Sequence, residues 1–399
     1  MTKRLYFNKI LEDINKPHIS LLIGARQVGK TTLIRQLHNE LKSNKKNVAF
    51  INLENKQFRM MLDETPENIF QLIPPLERQS CLYLFIDEVQ YLKDPSNFLK
   101  HIFDDYREQI KLIITGSSSF YIDRKFKDSL AGRKRIIEIP PLSFKEVLIF
   151  KDREDLAKYI NNGPIPLVYQ TEIKKLFYEY LVYGGYPDVV LADSLKEKVL
   201  ILKELVDSYV KKDAIEADLK KPQSYLHLLK LLAERSGSLI NIQSLANDVG
   251  INTKTIESYL WVLQKSFHIH TINSFHRNIS SELKKMNKIY INDLGLRNYL
   301  VSNFSPIGLR EDKGIILENY VYNLFREKLS VGSIKFWRTQ KKQEIDFIIS
   351  DFVANSEAIE VKFNKENFKV SKYNFFRERY PEIALRCLDI NSVLEYEFT

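Results

Sequence analysis

Cysteine is nearly absent: Cys81 and Cys387 are the only two in 399 residues. They are too few and too far apart for a disulfide framework or a zinc knuckle. No apolar run approaches the roughly 18 to 20 residues of a membrane span. The opening residues Met1–Tyr6 lack the apolar stretch of a signal peptide. A reducing, cytoplasmic setting without a membrane partner is therefore expected. A hydrophobic share of 44% with 12% aromatics excludes a disordered chain. The length suggests two to three domains. The net charge of +9 is compatible with a polyanionic partner without requiring one.

The most specific pattern is Gly24-Ala25-Arg26-Gln27-Val28-Gly29-Lys30-Thr31, directly after the apolar run Ile19–Ile23. It satisfies G-x-x-x-x-G-K-[ST], with a strand expected before it and a helix after. Glycines let backbone N–H groups curl around phosphate oxygens, and the helix adds its positive N-terminal end. Gly24 to Thr32 thus read as a nucleoside triphosphate site. Lys30 would reach the β- and γ-phosphates, and the Thr31 hydroxyl would hold Mg²⁺. A second apolar run, Leu82–Ile86, ends in Asp87-Glu88. Asp87 would hold Mg²⁺ through its water shell, and Glu88 would polarise the attacking water.

A third strand, Lys111–Thr115, runs into Gly116-Ser117-Ser118-Ser119. Ser117 is the candidate to touch the γ-phosphate or the water; a hydroxyl-rich turn is the competing reading. Arg133, in Leu130-Ala131-Gly132-Arg133, is a candidate to stabilise charge on the transferring phosphoryl group, in cis or from a neighbouring subunit. It reads equally as a surface arginine.

Residues 1–140 alternate strands and helices, the pattern of a parallel sheet covered on both faces. Strands are expected at His18–Ile23, Asn47–Leu53, Tyr83–Asp87, Lys111–Thr115 and Arg135–Ile139. Residues 141–222 turn helical, broken at Tyr183-Gly184-Gly185-Tyr186-Pro187, and suit a lid. Residues 223–292 show helices at Tyr225–Arg235, at Ile242–Val249 and from Asn252 to Lys265, with a turn at Gly250. Strands around Ser266–Phe275 and Asn287–Ile291 complete a winged helix-turn-helix. His276, Arg277, Lys284 and Lys285 would form a basic wing. DNA held through phosphates is one reading; a protein spacer is the other.

Residues 293–399 carry a second signature: Glu344-Ile345-Asp346-Phe347, then Ile359-Glu360-Val361-Lys362. Residues two apart share a strand face, so Glu344 and Asp346 share one, as do Glu360 and Lys362. Asp346 and Glu360 would bridge Mg²⁺ in a phosphodiesterase site, with Glu318 from a helix over Ile315–Lys328 as a further ligand. Lys362 would orient or deprotonate the water, or stabilise the pentavalent phosphate. A solvated charged sheet face is the competing reading.

These blocks, with Leu130–Arg133, Pro141–Phe144, Tyr183–Pro187, Ile291–Arg297, Leu317–Asn319 and Trp337-Arg338, occur in an order that resembles a known family. It comprises bacterial and archaeal AAA-type ATPases that join a P-loop domain to a C-terminal domain of unknown function. That C-terminal domain resembles the PD-(D/E)XK nucleases, though Gln343-Glu344-Ile345-Asp346 lacks the proline of their name. The resemblance implies ATP as the nucleotide. The expected fold is α/β: a P-loop AAA-type parallel sheet with helical lid, then a winged helix and a C-terminal α/β restriction-endonuclease-like domain. Two functions remain open: an ATP-driven DNA-processing enzyme with a nuclease-like site, or an ATP-dependent switch whose C-terminal domain binds nucleic acid or protein without cleavage. A homo-oligomer is left open.

Overall fold

The computed structural model describes residues 2–75, 81–116, 130–275, 286–350 and 356–397. Packing divides the chain at Pro141 into two units, Met1–Pro141 with Lys265–Phe267, and Leu142–Gln264 with His268–Thr399.

The first unit holds a five-stranded sheet in the order β2-β3-β4-β1-β5. The strands are β1 (Ile19–Ile23), β2 (Asn47–Asn52), β3 (Leu82–Asp87), β4 (Ile110–Gly116) and β5 (Lys134–Glu138). All pairs are parallel. The central strands β1 and β4 are buried along their whole length, as expected for a sheet covered on both faces. The edge strands β2 and β5 alternate or lie half-exposed. Because every strand runs the same way, the turns after β1 and β3 and the end of β4 gather at one end of the sheet. Ligand sites form at that end in open α/β sheets.

The second unit begins with the helix Phe144–Phe150, whose start is secured by a reciprocal Ser143–Glu146 capping box. Further helices include Leu167–Tyr183, Pro222–Glu234, Ile242–Val249 and Thr253–Lys265. Gly250 ends the helix Ile242–Val249 in a left-handed conformation, and the Asn252 side chain accepts the Thr255 N–H at 2.8 Å. The antiparallel pair β6 (Ile269–Ile272) and β7 (Lys288–Ile291) follows. The strand expected over Ser266–Phe275 is shorter because Phe267 adopts a positive φ of 60°. At its far end, Asn273–Phe275 leaves β7 and pairs with Phe336.

A four-stranded sheet completes the unit in the order β11-β10-β9-β8. Its strands are β8 (Ile334–Arg338), β9 (Glu344–Ile349), β10 (Glu357–Val361) and β11 (Ala384–Leu388). β8 and β10 run antiparallel to β9, and β11 runs parallel to β10. The helix Lys313–Lys328 shares one apolar core with this sheet, with β6–β7 and with the helices after Ser143. Phe144, Phe177, Tyr290, Tyr322, Phe325 and Phe347 all lie in it. Among the described residues, no helix is long and apolar enough to cross a membrane.

Candidate functional sites

The loop after β1 is shaped as its sequence requires. Gly24 has φ +152°, and a Cβ there would lie 2.2 Å from the Ile139 carbonyl oxygen. Only glycine fits this approach of two backbones. Gly29, at φ +92°, opens the helix Lys30–Ser43, so the helix N-terminus faces the loop. Lys30 is buried, and its Nζ donates to the carbonyls of Gly24 at 2.9 Å and Ala25 at 2.7 Å. Arg4 braces the loop from behind, donating to Val28 O at 2.9 Å and Pro140 O at 2.8 Å. Nothing around Arg4 in the sequence distinguishes it from the other cations of a basic chain.

Asp87 ends β3 with a side chain that is 1% exposed. Burial raises its pKa, while hydrogen bonds from Thr115 and Thr31 favour the ionised carboxylate. Thr31, in the first turn of the loop helix, thus meets Asp87 from the next strand but one. Glu88 is half-buried at φ 58°, ψ 48°, a left-handed conformation rare for a non-glycine residue. Its side chain accepts a hydrogen bond from Gln90 Nε2. Its backbone N–H donates to Thr115 Oγ1 at 3.0 Å, and that hydroxyl donates in turn to Asp87. Thr115 therefore holds the acidic pair in place. In the sequence it reads as the last residue of an apolar strand, so its role is visible only once β4 lies beside β3. Ser117 lies outside the described residues.

Arg133 is not brought to this cluster. Its carbonyl accepts the Ile19 N–H, which places it at the amino ends of the strands, a strand length of roughly 16 Å from the loop. It forms a bidentate pair with Asp104, at 2.7 and 3.1 Å. Of its two expected settings in this chain, the structure shows the surface one.

The residues from Gly24 to Thr32 with Asp87 fit a nucleotide carrying Mg²⁺. Gly24 lets the loop pass against the Ile139 backbone, and Gly29 leads it into the N-terminus of the helix Lys30–Ser43, where an anion is favoured. Thr31 and Asp87 supply the hard oxygen donors such a cation takes.

The second cluster is built on the helix Lys313–Lys328. Asn319 pins that helix to β7, accepting the Ile291 N–H at 2.9 Å and donating to the Ile291 carbonyl at 2.7 Å. The neighbouring Glu318 is thereby aligned with β7. Glu318 Oε1 accepts from Tyr290 Oη at 2.8 Å and from Lys288 Nζ at 3.1 Å. Lys288 is 1% exposed, and its ammonium also lies 2.5 Å from Glu344 Oε1 and 3.6 Å from Asp346 Oδ1. Arg338 takes the other oxygen of Glu344 at 2.6 Å. Asp346 Oδ2 accepts the Val361 N–H at 2.8 Å, which ties β9 to the end of β10. Glu360 is buried. One of its oxygens meets Lys362, and the other, Oε2, has no hydrogen bond of ordinary geometry.

Electrostatics follow from this crowding. Burial and the nearby Asp346 carboxylate push both Glu318 and Glu360 up to about 7. Burial alone would neutralise Lys288, but Glu318, Asp346 and Glu344 keep it charged and raise its pKa. Lys362 is raised by Asp346 and Glu360 against the same desolvation.

Glu318, Glu344, Asp346, Glu360 and Lys362 are thus assembled together, but not as a three-carboxylate metal cage. Among the described residues, no group of three His, Cys, Asp or Glu side chains is placed to hold a metal ion. Lys288 and Tyr290 both engage Oε1 of Glu318, the residue expected as a further metal ligand. Asp346 and Glu360 remain, Glu360 with Tyr373 as a further hydrogen-bond partner, and buried carboxylate oxygens are chemically suited to a cation. Two carboxylates with water and a substrate phosphate suffice for Mg²⁺. Lys288 and Tyr290 were missed because they lie on a short strand well before Glu318. Their only sequence signal is a lysine beginning an otherwise apolar run.

The family model described as an AAA domain matches residues 16–148. Models of two domains of unknown function, DUF8612 and DUF4143, match residues 174–308 and 313–393. The chain is 30% identical over 384 residues to the uncharacterized protein MJ1544 of Methanocaldococcus jannaschii, spanning 94% of this chain and 80% of that one. An uncharacterized protein of Haemophilus influenzae is 28% identical over 362 residues, with 87% and 83% covered. Among solved structures, the Thermotoga maritima RuvB Holliday junction branch migration motor aligns with 67% of this chain and 89% of its own, at 17% identity and a TM-score of 0.34. AMPPCP-bound DnaA from Aquifex aeolicus aligns with 65% and 85%, at 16% identity and a TM-score of 0.27. The nucleotide cradle lies inside the AAA match, and the relationship to the M. jannaschii protein runs nearly end to end. The chain therefore belongs to the family of MJ1544, built on an AAA-type P-loop ATPase domain.

Proposed function

We propose that this protein hydrolyses ATP to act on DNA, and that its C-terminal sheet carries a Mg²⁺-dependent phosphodiester-cleaving site. The observation that carries the second half is the Asp346–Glu360 pair on adjacent strands, with the buried Glu360 carboxylate contacted by Tyr373 and with Lys362 beside it.

In the ATPase site, Lys30 binds and orients the phosphates, and Thr31 and Asp87 hold the cation. Glu88 takes a proton from the attacking water as its oxygen adds to the γ-phosphorus and the bond to the β-phosphate oxygen breaks. Thr115 keeps Asp87 and Glu88 in register, so the water is aligned without reorganisation. The bound Mg²⁺ supplies charge neutralisation on the phosphates.

In the C-terminal site, Asp346 and Glu360 are the residues that would hold Mg²⁺, which supplies Lewis-acid polarisation of a phosphodiester oxygen. Lys362 orients the water or neutralises the developing phosphorane charge. The helix and four-stranded sheet support the restriction-endonuclease-like reading. The helices Pro222–Glu234, Ile242–Val249 and Thr253–Lys265 with β6–β7 support the winged-helix reading. Lys254, Glu257 and Ser258 lie on the exposed face of the last helix, and of these Lys254 and Ser258 are suited to a phosphate backbone. The proposed basic wing residues His276, Arg277, Lys284 and Lys285 lie outside the described residues.

The test is ATP turnover with and without duplex and single-stranded DNA in Mg²⁺, followed by nicking of a supercoiled plasmid. DNA-stimulated turnover and nicking abolished by Asp346→Ala are expected. Cleavage that survives Asp346→Ala would refute the assignment of the site. A second reading is an ATP-dependent switch that cuts nothing. Lys288 favours it, because a fixed cation already neutralises much of the carboxylate cluster. Turnover indifferent to DNA, with no nicking, would select that reading.

A further inference from the structure

We propose that Lys288 is a tethered counter-cation, standing where a two-metal phosphodiesterase would hold its second divalent ion, so that the C-terminal site takes one metal ion only. This rests on reading Asp346 and Glu360 as a metal site.

The geometry is that of a cation's shell. One ammonium nitrogen faces three carboxylates from two elements: Glu318 at 3.1 Å from the helix, and Glu344 at 2.5 Å and Asp346 at 3.6 Å from β9. An ammonium has three donors and no acceptor, so it satisfies this set without adding negative charge. Lys288 is 1% exposed. A buried charge is retained only where partners offset its desolvation, and here the partners are the carboxylates of the proposed site itself. Its position is not left to a flexible stem. β7 is paired to β6, and Asn319 joins β7 to the helix that bears Glu318. Tyr290, two residues along the same strand face, donates to the same Glu318 oxygen and stacks on Tyr322, with ring centroids 4.3 Å apart.

The arrangement divides the cluster. Glu318 and Glu344 are engaged by Lys288, Tyr290 and Arg338. Glu360, which is not among the three partners of Lys288, is contacted instead by Lys362 and Tyr373, and Asp346 lies between the two halves. Two-metal sites place their ions about 4 Å apart to clamp the attacking and leaving oxygens. In this site the half away from Glu360 already holds a fixed positive charge. The substrate class is unchanged, a phosphodiester. What Lys288 sets is the number of ions it needs, and it acts through the carboxylates as a positioning residue.

Metal count tests this independently of cleavage. Nucleotide-free full-length protein is titrated with Mn²⁺, and free ion is read by electron paramagnetic resonance. The wild type is expected to bind one ion, lost in Asp346→Ala. Lys288→Gln is expected to bind two, because Glu318, Glu344 and Asp346 are then left short of a cation. Lys288→Arg keeps the charge and is expected to bind one, and it serves if the glutamine variant does not fold. No ion in the wild type would overturn the metal-site reading and this proposal with it. One ion in the wild type and one in Lys288→Gln would overturn the proposal and leave that reading standing. Two ions in the wild type or in Lys288→Arg would overturn it equally.

Discussion

The Asp293 carboxylate fills the space that a β-carbon on Gly184 would need: its two oxygens lie 2.4 and 2.5 Å from that position. Asp293 accepts the Gly185 N–H at 2.7 Å and the Leu296 N–H at 2.8 Å. The glycine pair after the helix Leu167–Tyr183 is thereby locked to the start of the helix Leu294–Leu300. Gly184→Ala would drive a methyl into a buried carboxylate at φ +75°. It is expected to destabilise the second unit by about 2 to 4 kcal/mol, read as a lower urea midpoint for the transition that reports it.

Asp293 also sets a pH dependence. Burial raises its pKa from 3.8 to about 6, against the opposing hydrogen bonds from Gly185, Leu296 and Gly295. The folded state therefore binds the proton more tightly than the unfolded one. The stability this confers is present below about pH 4 and is lost as pH rises through 6. Urea midpoints of the wild type should fall across that window. In Asp293→Asn this fall should be smaller by an amount on the order of 3 kcal/mol. Equal pH slopes in the two proteins would contradict the assignment.

Thr115→Val deletes the hydroxyl that joins Asp87 to the Glu88 N–H while keeping the shape of the strand. ATP turnover should fall at least about tenfold with nucleotide affinity nearly unchanged, since alignment of the water rather than phosphate binding is lost. Thr115→Ser should restore most of the rate. A rate loss in both variants would point to packing instead.

Lys30→Ala and Glu88→Gln should separate binding from chemistry. The first is expected to abolish nucleotide binding in equilibrium titrations. The second should bind ATP normally and turn it over about 10² to 10⁴ times more slowly. Normal turnover by Glu88→Gln would remove Glu88 as the base.

Arg133→Ala should leave ATP turnover by dilute, monomeric protein unchanged, because Arg133 and the loop lie at opposite ends of β1. Turnover that drops only as protein concentration rises into an assembling range would assign Arg133 to a neighbouring subunit's site.

The ATPase half was largely legible because its chemistry is written in contiguous residues. The loop Gly24–Thr31 and the pair Asp87-Glu88 each follow an apolar strand, and the five strands occur within a residue or so of their expected bounds. Thr115 was not legible as a site residue, since its partner is decided by which strand lies beside β4. The C-terminal carboxylates were legible from period-two spacing on β9 and β10. Their cation was not, because Lys288 reaches them through the pairing of β7 with a helix far along the chain. The strand over Ser266–Phe275 was overextended because neither the left-handed Phe267 nor the departure of Asn273–Phe275 toward β8 leaves a local composition signal.

Lys288 and Tyr290 lie before the segment matched as DUF4143, which begins at residue 313, and inside the one matched as DUF8612. The seam between these two segments therefore cuts through a single charge balance. A C-terminal fragment begun at that seam would inherit its acids without the lysine that offsets them. The carboxylate site is a joint holding of both segments.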